Sequence, residues 1–130
     1  MRFFISFFFL AAAALFADPN WAFGYAKAFE KAKQQEKGVM IMLSQENCDA
    51  CWYMENIVFE ESDLTREIEN EFVPLYLDVK DDDLHGLKFS GTPTLYFMRS
   101  DEEIIKRLDG VFNIKELTAA LLKIKVETVE

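Results

Sequence analysis

Four stretches of the chain have the apolar pattern of β-strands. Val39–Leu43 is apolar at every position, which is typical of a central strand covered on both faces. Phe72–Asp78 and Leu95–Met98 are further apolar runs, and Glu103–Leu108 follows the latter after a short polar turn. The last two stretches are therefore predicted to pair as an antiparallel hairpin.

Helical spacing of apolar residues predicts a helix before the first strand. Trp21, Tyr25 and Phe29 lie four residues apart, and charged residues occupy the opposite side of the helix. We expect this helix to begin at Trp21 and to end at Gly38. Its N-terminal cap is expected to be one of two polar residues, Asp18 or Asn20.

Three more helices follow from the same spacing. One begins at Cys48, and its expected buried side consists of Trp52, Met54, Ile57, Val58 and Phe59. Another begins near Ser62, with Ser62 or Asp63 as its cap. The last has Asn113 as its cap and an apolar stripe formed by Ile114, Leu117, Leu121 and Ile124.

The predicted order of elements defines the fold class. It is helix, strand, helix, helix, strand, strand, strand, helix. A strand that returns through helices to the next strand implies a parallel pair joined by a right-handed crossover, whereas the hairpin is antiparallel. The chain is therefore predicted to be α/β, with a central mixed sheet flanked by helices on both faces.

Length and charge limit the range of functions. The chain has 130 residues, enough for one domain with a single packed core. Its formal net charge of −9 argues against nucleic acid or anionic lipid as a partner. The acidic excess is consistent with solubility in water and also with partners that have basic surfaces.

The first 17 residues have the pattern of an export signal. Arg2 precedes an apolar stretch that ends at Ala17, and the stretch is shorter than the roughly 20 residues that span a bilayer as a helix. The alternative is an uncleaved anchor. We expect a cleaved signal peptide at residues 1–17, a single domain at residues 18–130, no membrane insertion of the mature protein, and a periplasmic location where disulfides persist.

The only two cysteines lie where the first strand gives way to a helix. Cys48 and Cys51 are three residues apart, so their sulfurs can meet if Cys48 caps the helix. The free amides and the dipole at a helix N-terminus favour an anion, which is expected to lower the pKa of the Cys48 thiol. Cys48 is therefore the predicted attacking sulfur, and Cys51 is the predicted resolving sulfur.

Several motifs in this order resemble the thioredoxin superfamily, and most of all its exported bacterial thioredoxin-related proteins. They are Cys48-Asp49-Ala50-Cys51, Met54-Glu55, Phe59, Phe72-Val73-Pro74 and Gly91-Thr92-Pro93-Thr94. The resemblance implies a thioredoxin-like fold and thiol:disulfide exchange. It also implies that Pro93 follows a cis peptide bond beside the cysteines, and that Thr92 and Pro93 hold the partner's segment.

Three positions bear on how the pair would work. Met42 stands six residues before the first cysteine, where many relatives have a buried carboxylate that relays protons to the resolving thiol. Glu46 is a nearer acid and the candidate proton relay here, with water as the alternative route for proton transfer to Cys51. Asp49 stands where oxidising relatives often have a histidine, and its carboxylate disfavours the thiolate. The pair is therefore expected to be less oxidising than pairs that have a histidine between the cysteines, which favours a role as a reductase.

Two other functions of the cysteine pair stay open. One is a structural disulfide, although so short a ring removes little loop entropy. The other is metal binding. Zinc would need Cys48, Cys51, His85 and a carboxylate to converge. Copper(I) would need only the two cysteines and Met54.

The sequence thus predicts an exported thiol:disulfide oxidoreductase that leans toward reduction. Its expected partners are protein thiols and disulfides, together with a dithiol redox protein in the periplasm or the membrane. No cofactor, metal or nucleic acid is expected. The alternative is a thioredoxin-like module that binds copper(I) or holds a structural disulfide without redox turnover.

Overall fold

Four strands form one mixed sheet in the structure, a computed structural model that describes residues 19–129. The strands are β1 (Gly38–Ser44), β2 (Phe72–Asp78), β3 (Thr94–Met98) and β4 (Ile104–Asp109). Their order is β2-β1-β3-β4, with β1 parallel to β2 and the other pairs antiparallel. The predicted signal at residues 1–17 and the predicted cap Asp18 lie outside the described residues.

Helices lie on both faces of this sheet. They are α1 (Tyr25–Gln35), α2 (Asp49–Tyr53), α3 (Ser62–Glu71) and α4 (Ile114–Val129), and α2 continues directly into a π-helix (Met54–Val58). The predicted mixed sheet with helices on both faces is confirmed. Within residues 19–129, no helix has both the length and the apolar character that crossing a bilayer requires.

β1 is the centre of the core because both of its faces are buried. Met40 and Met42 point into the cluster formed by α2, the π-helix, α3 and α4. Val39, Ile41 and Leu43 point into the cluster that contains α1 and the edge strand β2. Complete burial of a side chain of this size stabilises the fold by about 1.5–3 kcal/mol. The fully apolar pattern of Val39–Leu43 was therefore a reliable sign of the central strand.

The first helix begins later than its spacing predicts. Trp21 and Ala22 are extended rather than helical, since the Ala22 N–H donates to the Pro74 carbonyl (2.8 Å) and the Tyr76 N–H donates to the Ala22 carbonyl (3.1 Å). Gly24, rather than Asp18 or Asn20, stands at the N-cap. An extended segment along the edge strand turns Trp21 toward the core as well as a helix would.

The predicted end of the first helix at Gly38 is also wrong. The helix ends at Gln35, and Glu36 adopts the left-handed conformation that closes it (φ 55°). Gly38 is the first residue of β1, where it pairs with Phe72.

The second helix departs from the predicted regular α-helix. Its π-helical turn widens the backbone, and the Phe59 N–H bonds to the Met54 carbonyl (2.8 Å). Met54, Val58 and Phe59 are buried as predicted, whereas Trp52 is 60% exposed and Ile57 is 44% exposed. The predicted burial of Trp52 and Ile57 is therefore wrong.

The two predicted caps of the later helices have different outcomes. Glu61, not Ser62 or Asp63, caps α3, because its carboxylate accepts the N–H groups of Asp63 (3.3 Å) and Leu64 (2.8 Å). Asn113 caps α4 as predicted, accepting the Glu116 N–H at 2.8 Å.

We predict that Gly38→Ala destabilises the protein. A Cβ at this position would lie 2.5 Å from the Met98 carbonyl oxygen and 2.9 Å from the Phe72 ring, and the carbonyl belongs to the strand paired with β1. Overpacking of this kind costs about 1–3 kcal/mol of unfolding free energy, which urea denaturation measures. Gly91→Ala is the matched control, since a Cβ there meets nothing within 4 Å. Equal stabilities of the two variants would contradict the prediction.

Candidate active site

The cysteine pair lies at the N-terminus of α2, directly after the loop that leaves β1. Cys48 is the N-cap residue with an extended backbone (φ −114°, ψ 103°), and its sulfur accepts the Cys51 N–H at 3.1 Å. Cys48 and Cys51 form a disulfide, with Cα atoms 5.2 Å apart. The spacing predicted that the sulfurs could meet, and the helix start brings them together.

The two sulfurs have different access to solvent. Cys48 is partly exposed, whereas Cys51 is 1% exposed and belongs to the apolar cluster beneath α2. Cys48 is therefore the more accessible of the two cysteines.

The loop before β3 lies against the outer sulfur. The Thr92 hydroxyl donates to Cys48 Sγ (3.4 Å), and the Thr92 carbonyl oxygen lies 3.5 Å from the same sulfur. The Thr92–Pro93 peptide bond is cis, and Pro93 is buried. These contacts join residues 44 positions apart in the chain.

Backbone hydrogen bonds fix the position of this loop. The Gly110 N–H donates to the Pro93 carbonyl (3.0 Å), and the Thr94 hydroxyl donates to the Gly91 carbonyl (2.8 Å). The Tyr96 hydroxyl also donates to the Lys88 carbonyl (2.6 Å), which holds the preceding segment against the sheet. The polar groups that face Cys48 are therefore held by β3 and by the end of β4.

The cysteines open into a cleft of about 340 Å³ that also contains carboxylates. Glu46, the acid predicted from the sequence, lines this cleft but is exposed. Met42, which stands where many relatives have a buried carboxylate, is fully buried in the apolar core. Glu55 also lines the cleft and is partly buried. The hydroxyl of the buried Ser44 donates a hydrogen bond to it, with Oγ 3.3 Å from Glu55 Oε1.

Glu55 belongs to a family motif, but no role was predicted for it from the sequence. Its signal was its spacing from Cys51, because residues four apart on a helix lie on the same side, one turn apart. Ser44 gave no signal, since only the sheet brings the end of β1 next to the π-helix.

Sequence comparison identifies the family. The profile of a family described as "Thioredoxin-like domain" matches residues 25–125, which is most of the chain. The chain belongs to this thioredoxin-like domain family. The resemblance inferred from the motifs is thereby confirmed. No curated protein matches the sequence significantly.

Solved structures show the same fold. A thioredoxin from Thermus thermophilus has a TM-score of 0.72 at 23% identity, covering 82% of this chain and 88% of its own. A putative disulphide-isomerase from Bacteroides thetaiotaomicron has a TM-score of 0.72 at 23% identity, covering 85% and 93%. The periplasmic thioredoxin SoxS from Paracoccus pantotrophus has a TM-score of 0.56 at 20% identity, covering 71% and 99%. The predicted thioredoxin-like fold is confirmed.

A tyrosine completes the cleft of this thioredoxin-like domain. Tyr76 lines the cleft beside Glu55. Partial burial raises the pKa of its hydroxyl, and the nearby Glu55 and Asp78 carboxylates raise it further, against a hydrogen bond with Ser44 that lowers it. Tyr76 therefore stays protonated at neutral pH and can both donate and accept hydrogen bonds.

His85, the histidine of the possible zinc site, does not lie with the cysteines. The His85 ring stacks on Tyr25 with centroids 3.8 Å apart, and it lines a different cleft from the cysteines. Met54 is fully buried. Among the described residues, no group of three or more His, Cys, Asp and Glu side chains is arranged to hold a metal ion.

Proposed function

We propose that this thioredoxin-like protein is a thiol:disulfide oxidoreductase that exchanges disulfides with protein partners. The observation that supports this proposal best is a disulfide that joins a reachable sulfur, Cys48, to a shielded one, Cys51, at a helix N-terminus. Cys48 is then the attacking residue and Cys51 the resolving residue, as the resemblance implies.

The exchange transfers two electrons and two protons. In the reduced protein the Cys48 thiolate attacks one sulfur of the partner's disulfide, and the other sulfur leaves as a thiolate that takes up a proton. A mixed disulfide now joins the two proteins. Cys51 loses its proton and attacks Cys48 Sγ, which releases the partner's second sulfur as a thiol. Thr92 and Pro93, beside Cys48, hold the partner's segment during these steps.

We further propose that the protein acts as a reductase in the periplasm. Asp49 is exposed in the first turn of α2, where its negative charge opposes the thiolate at Cys48. A less stable thiolate makes the dithiol a better electron donor. The predicted export signal supports the location, and one structure with this fold is a periplasmic thioredoxin. Electrons come from another dithiol protein in the periplasm or the membrane, and no cofactor takes part.

Substitution of each cysteine tests the assigned roles. Cys48→Ser is expected to abolish insulin reduction, because no other sulfur in the cleft is accessible. Cys51→Ser is expected to accumulate mixed disulfides with partner proteins, since nothing releases them. Non-reducing gel electrophoresis detects these adducts. Insulin reduction by Cys48→Ser at the wild-type rate would refute the proposal.

A second pair of variants tests which acid exchanges a proton with Cys51. Ser44 holds Glu55 in the cleft, whereas Glu46 is exposed. We therefore expect Glu55→Gln to slow resolution of the mixed disulfide about tenfold or more, and Glu46→Gln to leave it nearly unchanged. Stopped-flow tryptophan fluorescence measures the step. If only Glu46→Gln slows resolution of the mixed disulfide, Glu46 is the proton relay, as the sequence predicts.

The reduction potential of the pair tests the direction of electron flow. Equilibration with glutathione should give a value near that of thioredoxin, about −270 mV. A value near that of the strong oxidant DsbA, about −120 mV, would show that the protein oxidises its partners instead.

A further inference from the structure

A second cleft adjoins the cysteine cleft, and Tyr76 lines both of them. The second cleft has a volume of about 230 Å³, and Phe23, Asp82 and Asp83 also line it. We call these four residues the acidic groove. Because Tyr76 is shared, a polypeptide bound at Cys48 can continue from the cysteine cleft into the groove.

Phe23 is held in an exposed position in this groove. It is 80% exposed, and its ring centroid lies 6.1 Å from that of Tyr76. The backbone hydrogen bonds of Ala22 with β2 on one side and the start of α1 on the other fix its place. Trp52, which lines the cysteine cleft, is 60% exposed. Exposed large apolar side chains beside a cleft are typical of protein contact surfaces.

Carboxylates supply the charges along the two clefts, apart from His85, which lies 3.9 Å from Asp83 and is positive only when protonated. Glu46, Asp49 and Glu55 line the cysteine cleft, and Asp82 and Asp83 line the groove. None of the described residues that line either cleft is a lysine or an arginine.

Three basic residues line a different cleft. Lys33, Lys37 and Arg99 line a cleft next to Gly38 and Phe72, where β1 and β2 begin, at the end of the sheet away from the cysteines. The carboxylates that line the two clefts favour cations over anions there.

We propose that the acidic groove and Trp52 bind an extended segment of a partner protein that carries lysine or arginine beside its reacting disulfide. This inference rests on the proposed exchange reaction and specifies its substrate class. A basic side chain can form an ion pair with Asp82 or Asp83. Its positive charge can also lie over the Phe23 or Tyr76 ring in a cation–π contact. Complementary charge of this kind acts mainly on the association rate.

Three synthetic peptides test the substrate class. Each contains the same disulfide ring, and they differ only in two flanking residues, which are lysines, glutamines or glutamates. The reduced protein should reduce the lysine peptide about tenfold faster in kcat/KM than the glutamate peptide at 10 mM salt. The ratio should approach one at 1 M salt, where the Debye length falls from about 30 Å to about 3 Å.

Variants of the groove locate the effect. Asp82→Asn with Asp83→Asn removes two charges but keeps the oxygens that accept the Asp78 N–H (2.7 Å) and the His85 N–H (2.8 Å). This double variant should lower the lysine-to-glutamate ratio at least about threefold. The matched control, Glu30→Gln with Glu71→Gln, changes the net charge equally outside both clefts and should keep the ratio. Phe23→Ala should slow all three peptides alike.

A small neutral substrate separates this inference from the proposed function. If 2-hydroxyethyl disulfide is not reduced, the exchange chemistry itself is absent and the proposed function fails. If it is reduced at the wild-type rate by every groove variant, the chemistry is intact and the peptide data report on recognition alone. Equal rates for the three peptides at low salt would overturn the proposed binding of basic segments by the acidic groove. So would a control variant that loses as much of the lysine preference as the Asp82→Asn, Asp83→Asn variant does.

Discussion

Burial of β1 on both faces is the constraint on which the rest of the structure depends. Five consecutive apolar side chains, Val39–Leu43, are removed from water only if helices cover both sides of the sheet. The strand can then leave the core only at its end, and α2 begins within a few residues of Ser44. The cysteine pair therefore lies at the edge of the sheet, where the helix N-terminus leaves Cys48 partly exposed while Cys51 reaches into the core.

The proposed disulfide exchange depends on unequal exposure of the two cysteines. The core that buries β1 also buries Cys51, while the N-cap position leaves Cys48 partly exposed and next to Thr92. A carboxylate lies between the buried and the exposed parts of the site. The carboxylate of Glu55, held by Ser44, lies in the cleft between core and solvent, the place where the proposed proton exchange with Cys51 would need a polar group.

Most elements were predictable because their burial follows a local period. β2 has its predicted bounds, and β1, β3 and β4 are correct within one residue at each end, since each alternates or is uniformly apolar. The errors occur where the spacing of apolar residues does not by itself decide the local backbone structure or the exposure of a side chain. Trp21 packs on the core from the segment before α1, and Trp52 in α2 and Ile57 in the π-helix are exposed although helical spacing placed them inside.

By itself, the sequence determined the element order, the central strand and the pairing of Cys48 with Cys51, because each depends on residues close together in the chain. The resemblance implied that Pro93 lies beside the cysteines, but only the tertiary structure decided that Glu55 is held by Ser44 and that Phe23 stands exposed beside Tyr76. Local periodicity records whether a side chain is buried, but not which distant segment buries it. That choice depends on how the sheet orders its strands, which places residues far apart in the chain side by side.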